Sequence, residues 1–205
     1  MSNHTIGIIG GGQLGSMLST AAKKLNIKTV IISDDIHAPG QFFADEFIFC
    51  NYNDDLKIEE FCRKVDFVTF EFENIPYTTL SKINDIKKVN PKPSINKIIQ
   101  NRISEKDFLN KNNIRTTSYI PIKNESELKS SQDFIPGILK TCTLGYDGKG
   151  QYKINNEKEL DNLKINFKNQ FILEKLVKLK KEISVIITRF GKQKYEVYDP
   201  IENVH

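Results

Sequence analysis

The residues of this sequence that have chemistry to offer gather around two glycine clusters. The first is Gly10-Gly11-Gly12-Gln13-Leu14-Gly15, in which Gly10, Gly12 and Gly15 satisfy GxGxxG. It follows a short apolar run and opens a helical pattern. Glycines so spaced permit a tight turn, and they let backbone N–H groups and a helix N-terminus approach a phosphate. Asp34 and Asp35 follow the next apolar run, where a dinucleotide fold holds the acid for its ribose. Three readings of this cluster stay open: NAD(P), a different phosphate ligand, or close strand–helix packing.

The second cluster, Gly145, Gly148 and Gly150 with Lys149 among them, lies between strand candidates. Such a loop can wrap phosphates through its N–H groups. The Walker pattern GxxxxGK[ST] is absent, and a β-hairpin with a glycine-rich turn explains the loop equally well. Its neighbours favour a nucleotide. Lys140 sits in an apolar strand context beside Ile138 and Leu139, where it either reaches outward or meets a buried anion. Glu174 ends the run FILE and Glu182 begins EISVIITR. Strand-end carboxylates can accept from an adenine amino group or from ribose hydroxyls. A strand lysine, a glycine loop and two such carboxylates in this order point together to a nucleotide.

Strands alternating with helices must position these groups. Apolar periodicity predicts strands over Thr5–Ile9, Lys28–Ser33, 46–50 and 66–72. Helices are expected over 13–25, 55–65 and 76–83, and Val89 opens a short fifth strand. This alternation implies a parallel sheet. Pro91 and Pro93 mark a boundary. Residues 94–110 read as helical with a break near Asn101, and 124–131 as a helix capped by Asn124. Strands are expected over 120–122, 137–142, 171–174, 182–189 and 194–198, the last pairing back across Gly191.

Composition narrows the classes further. The chain has 205 residues, 39% apolar and 27% charged, which suits a globular protein with a real core. No apolar run is long enough to span a membrane, and no basic segment followed by an apolar one opens the chain. Cys50, Cys62 and Cys142 lie far apart without a CxxC pair, which argues against a disulfide framework or a zinc site. Cys50 and Cys62 are expected as buried small hydrophobes, and a cytoplasmic location is expected. The net charge of +4 is spread along the chain, 26 of its 30 basic residues being Lys, so neither nucleic acid nor membrane is an expected partner. The lysines of 175–181 read as a solvated turn, and His4 and His37 as surface residues.

The order of motifs carries a resemblance. It runs GGGQLG, TFEFENIP (69–76), QNR (100–102), ILK, GYDGKGQ (145–151), ILE, KEISVI and ENVH (202–205). In this the sequence resembles the N5-carboxyaminoimidazole ribonucleotide synthases, ATP-grasp carboxylases of de novo purine biosynthesis. The resemblance implies an α/β chain: a Rossmann-like parallel-sheet pre-ATP-grasp domain over 1–92, then an incomplete α+β ATP-grasp domain. The latter divides into a helical linker (93–115), a small subdomain (116–178) and the start of a large one (179–205). The implied reaction joins 5-aminoimidazole ribonucleotide and bicarbonate at the expense of MgATP, through carboxyphosphate, to give the N5-carbamate, ADP and phosphate.

Roles follow by position within that resemblance. Arg102 and Lys140 would contact ATP phosphates. Gly145, Tyr146, Asp147, Gly148, Lys149, Gly150 and Gln151 would close over the nucleotide. Glu174, Lys175, Leu176 and Val177 would line the adenine pocket, Glu182 would take the ribose hydroxyls, and His205 would lie near the nucleotide. Gly12, Gln13 and Leu14 would face the aminoimidazole ribonucleotide, with Glu73 and Tyr146 close to it. Lys149 stands where many members have Arg and would hold bicarbonate or carboxyphosphate, as a point charge without the arginine fork. Tyr146, Lys149 and Glu73 are therefore the expected catalytic residues. Asn74 stands where some members have His. Members continue well past this point, and the later part holds their magnesium ligands. The chain is thus expected to be a fragment of a homodimeric enzyme, with no metal site of its own. Competing readings are another ATP-grasp ligase, an NAD(P)-dependent oxidoreductase built on the first cluster, and a nucleotide-binding remnant.

Overall fold

The computed structural model describes residues 4–144 and 150–204. Its first part alternates β1 (Thr5–Ile9), α1 (Gln13–Lys24), β2 (Lys28–Ser33), β3 (Glu46–Phe49), α2 (Asp55–Lys64), β4 (Phe67–Phe70) and α3 (Tyr77–Ile86). The four strands form one parallel sheet in the order β3-β2-β1-β4. Val89 adds one parallel bridge to Val68 where a fifth strand was expected. The centre of β2, Val30-Ile31-Ile32, is apolar without alternation because a parallel sheet is covered on both faces. On one face Ile9, Ile32 and Val68 meet Ile58 and Phe61 of α2 and Leu80 and Ile83 of α3 in a single core.

The other face is closed by α1, and here burial departs from the apolar pattern. Gly15, Ser16, Ser19 and Ala22 face the sheet, whereas Leu14, Met17 and Leu25 are 54%, 60% and 70% exposed. Small residues win the inner face because the helix lies close. A Cβ on Gly15 would come within 2.6 Å of the Gly10 carbonyl oxygen. Gly10 itself has φ +101°, a conformation that few residues other than glycine adopt.

Two helices, α4 (Pro93–Ile99) and α5 (Arg102–Lys111), lead into a second sheet. Its elements are β5 (Tyr119–Ile122), α6 (Glu125–Lys129), β6 (Gly137–Thr141), β7 (Gln151–Ile154), α7 (Glu157–Asn162) and β8 (Phe171–Lys175). The strands are antiparallel in the order β5-β8-β6-β7. Ile122, Leu139 and Leu173 pack against Leu128 of α6 and Leu160 of α7. The two short helices begin alike. Asn124 accepts from the Glu127 N–H while Glu127 accepts from the Lys123 N–H, and Asn156, Glu159 and Asn155 repeat the arrangement.

The run 182–189 is not the one strand that its sequence predicts. It divides into β9 (Glu182–Ser184) and β10 (Ile187–Arg189). β10 pairs antiparallel with β11 (Tyr195–Val197), and β9 pairs with β12 (Ile201–Asn203). The ladder changes partner at Val185–Ile186, and an unbroken apolar run carries no mark of that change. No helix among the described residues is long and apolar enough to cross a membrane.

Candidate functional site

The site assembles where the two sheets meet through the α4–α5 junction. Asn101 caps α5 by accepting from the Ile103 and Ser104 N–H groups. The next residue, Arg102, donates its backbone N–H to Cys142 O at 2.9 Å and its Nε to Thr141 O at 3.1 Å. This half-buried guanidinium is thereby fixed against the end of β6, where the glycine loop departs. Gly150, at the return of that loop, has φ +70° and accepts from the Thr141 N–H. A Cβ there would meet Thr141 Oγ1 at 2.9 Å. Residues 145–149 and His205, with the roles expected of them, lie outside the described residues.

Lys140 does not reach outward to solvent. Its Nζ lies 2.9 Å from Glu174 Oε2, across paired strands β6 and β8. A second ammonium, Lys106 Nζ on α5, lies 3.3 Å from Glu174 Oε1. The Glu174 side chain is only 10% exposed, so both pairs are largely shielded from water. Two cations share one carboxylate, so the cluster carries one positive charge in excess. Lys106 also lies 5.6 Å from the centre of the Tyr119 ring, within cation–π range. The next residues of the expected adenine pocket leave the sheet here: the Leu176 N–H donates to Pro136 O, and Lys175 and Val177 are exposed. Glu182 is exposed at the start of β9 and accepts from Asn203 Nδ2.

The first glycine cluster holds an internal anion. Glu71, just after β4, accepts the Gly12 N–H on Oε1 at 3.0 Å, and its side chain crowds the space above Gly10. The carboxylate meets an N–H at the start of α1, where the pyrophosphate of a dinucleotide would bind. Gln13 and Leu14 are exposed on that first turn. Asp35 is committed to its own turn, accepting from the His37 N–H. Glu73 presents an exposed side chain, while its carbonyl accepts from Gln100 Nε2 at 2.7 Å. The same amide nitrogen reaches Ile75 O at 2.6 Å, and buried Asn96 donates to that oxygen at 2.9 Å. Gln100 thus holds the Glu73 loop two residues from Arg102. Through that short link, the two ends of the expected site are joined.

Sequence reading missed three of these residues. Lys106 stands four positions after Arg102 on α5, a spacing that puts both on one helix face. Glu71 stands two before Glu73, and Gln100 two before Arg102. Burial raises the Cys142 thiol to about 11, against the opposing pull of Arg102, so Cys142 is an inert packing residue beside the site. Cys50 and Cys62 are buried too. Among the described residues, no three acidic, histidine or cysteine side chains converge as a metal site would require.

Comparison with known proteins gives a consistent picture. Residues 3–100 match the ribonucleotide synthetase pre-ATP-grasp domain, and residues 107–205 match the ATP-grasp domain. An N5-carboxyaminoimidazole ribonucleotide synthase of Brucella melitensis is 37% identical over 98% of this chain and 57% of its own length. The Staphylococcus aureus N5-carboxyaminoimidazole synthetase, solved with ADP, superposes at a TM-score of 0.91 with 33% identity. That match covers 98% of this chain and 55% of the other. Another N5-carboxyaminoimidazole ribonucleotide synthetase, also an ADP complex, gives 0.93 with 35% identity, over all of this chain and 55% of that one. The chain spans about half the length of the curated relatives it matches.

Proposed function

Because the chain belongs to the N5-carboxyaminoimidazole ribonucleotide synthase family, matching the N-terminal half of its relatives, we propose that it serves ATP-dependent carboxylation of 5-aminoimidazole ribonucleotide in purine biosynthesis. It would do so as part of a ligase that forms a carbon–nitrogen bond. The observation that carries this reading is the link through Gln100, Asn101 and Arg102. It ties the Glu73 loop on one side to the Lys140 strand end on the other.

Bicarbonate has no leaving group for an amine to displace. Phosphoryl transfer from ATP supplies one, giving carboxyphosphate, and the exocyclic amine of the ribonucleotide then captures the activated carbon. The protein's share is positioning, charge neutralisation and exclusion of water. Arg102, held by two bonds to the end of β6, and Lys140 neutralise the transferring phosphates. Glu174 through Val177 flank the adenine, and Glu182 accepts from the ribose. Gly12, Gln13 and Leu14, with Glu73, hold the aminoimidazole ribonucleotide above the parallel sheet. Tyr146 and Lys149 act from the glycine loop, Lys149 on bicarbonate or carboxyphosphate. ATP enters as its magnesium complex. A homodimer and a cytoplasmic location belong to the same proposal.

Thermal unfolding tests the reading, because a ligand that binds only the folded state raises the midpoint. ATP and ADP are expected to raise it, as is the aminoimidazole ribonucleotide, while NAD leaves it unchanged. Stabilisation by NAD and not by ATP would return the first glycine cluster to dinucleotide chemistry and overturn the proposal.

A further inference from the structure

The cluster around Glu174 contains a cation that the proposed reaction does not use. Lys106 comes from α5, not from the sheet, and its side chain is 15% exposed. It takes one oxygen of Glu174 while Lys140 takes the other. Resting on the reading above, we propose that Lys106 is a positioning residue of the nucleotide site. It keeps Glu174 neutralised when Lys140 turns from that carboxylate to the nucleotide phosphates.

The argument turns on what happens to Glu174. One oxygen of its carboxylate holds the Lys140 ammonium at 2.9 Å. When Lys140 moves to a phosphate, a carboxylate only 10% exposed loses a partner. Leaving a buried charge uncompensated is among the most costly single events in a protein interior. Lys106 removes that cost. It stands on a different element from Lys140, so a rotamer change in Lys140 does not move it. The Tyr119 ring and the Glu174 oxygen hold its ammonium from two sides. It also lies one helical turn after Arg102, on a helix whose start is bonded to the end of β6. Without Lys106, Glu174 would keep Lys140 for itself.

The test uses the whole chain with Lys106→Met, Glu174→Gln and the double substitution, and reads two things. The first is dissociation constants for ATP and for adenosine, which lacks phosphates. Lys106→Met is expected to weaken ATP about tenfold and adenosine by less than about twofold, whereas the same Lys106→Met change made in the Glu174→Gln background is expected to alter ATP affinity by less than about twofold. A lysine that merely holds the fold together would weaken both ligands alike, whether or not Glu174 is present. The second readout needs no nucleotide: the rate at which Lys140 is acetylated by acetic anhydride, followed by peptide mass spectrometry. It is expected to fall severalfold in Lys106→Met and to recover in the double variant. An unchanged rate overturns the inference whatever the nucleotide data show. A parent chain that binds no ATP overturns the function proposed above, and the inference with it. If Lys106→Met fails to fold, Glu174→Gln is compared with the double variant. Equal ATP affinities are then expected, and unequal ones overturn the inference.

Discussion

Glycine at position 15 is required by a distance. Helix propensity favours alanine over glycine by about 1 kcal/mol. A Cβ at Gly15 would, however, stand 2.6 Å from the Gly10 carbonyl oxygen, and backbone cannot yield as a side chain can. Overpacking of this kind costs about 1–3 kcal/mol, so Gly15→Ala is expected to lower stability, as a urea titration would read. The buried thiols make a second prediction at this scale. Burial raises both Cys50 and Cys142 to about 11 from an ordinary 9.0. Above pH 9 the unfolded chain has lost these protons while the folded chain keeps them. Stability therefore falls as pH rises from 9 towards 11. The urea midpoint should drop over that interval, and replacing both cysteines with alanine should flatten the drop. What the sequence discloses at this scale follows from local context. Lys140 is conspicuous because its neighbours are apolar, and the first glycines are conspicuous by spacing. Lys106 and Glu71 are not, since each acquires its meaning from a partner 59 or more residues away: Gly12 for Glu71, Glu174 for Lys106.

At the level of elements, two short pieces decide the site's geometry. Asn101 caps α5, and α5 carries both Arg102 and Lys106. Asn101→Ala removes two accepted N–H bonds and should cost about 1 kcal/mol of stability. It should also weaken ATP, because both cations lie on the first two turns that would fray. A loss of stability with ATP affinity unchanged would separate the cap from the site. Gln100 acts on the other ligand. Its amide nitrogen holds the carbonyls of Glu73 and Ile75, so Gln100→Ala frees the Glu73 loop. Calorimetric titration should show aminoimidazole ribonucleotide binding weakened severalfold, with adenosine affinity nearly unchanged. Elements were legible where a period or a cap marks them. The strands of the parallel sheet and the Asn124 cap follow from such marks. The sequence around Asn156 repeats the Asn124 spacing, with Glu three residues on, and the same rule marks the start of α7. The inner face of α1 was not legible. Its apolar residues point outward, and only the closeness of the β1–α1 turn makes Gly15, Ser16 and Ser19 the packing face.

Across the whole molecule, packing is uneven in a way that predicts order of opening. Each four-stranded sheet has a core of its own, one around Ile9, Ile32 and Phe61, the other around Leu139, Ile154 and Leu173. The four strands after Lys175 differ from both. Each is three residues long, and they pair two by two. Their apolar side chains gain little from folding: Ile183 is 59% exposed, Ile187 61%, Tyr195 59% and Ile201 56%. Two-stranded ribbons of this size are marginal in water, because a few ladder bonds face the backbone entropy of every residue they fix. Burying a large apolar side chain contributes about 1.5–3 kcal/mol, and these residues receive only part of that. Opening β9–β12 therefore costs far less than opening β1, β2 or β8, whose residues are mostly buried. Hydrogen–deuterium exchange of the 205-residue chain should show amides of 182–203 exchanging well before those of β2 and β8. Glu182 sits at the first position of this weakly held region, and the proposed function gives it the ribose. ATP should therefore slow exchange in β9 more than in β2. Equal protection of β9 and β8 without nucleotide would mean that the late strands are held by something other than their own burial.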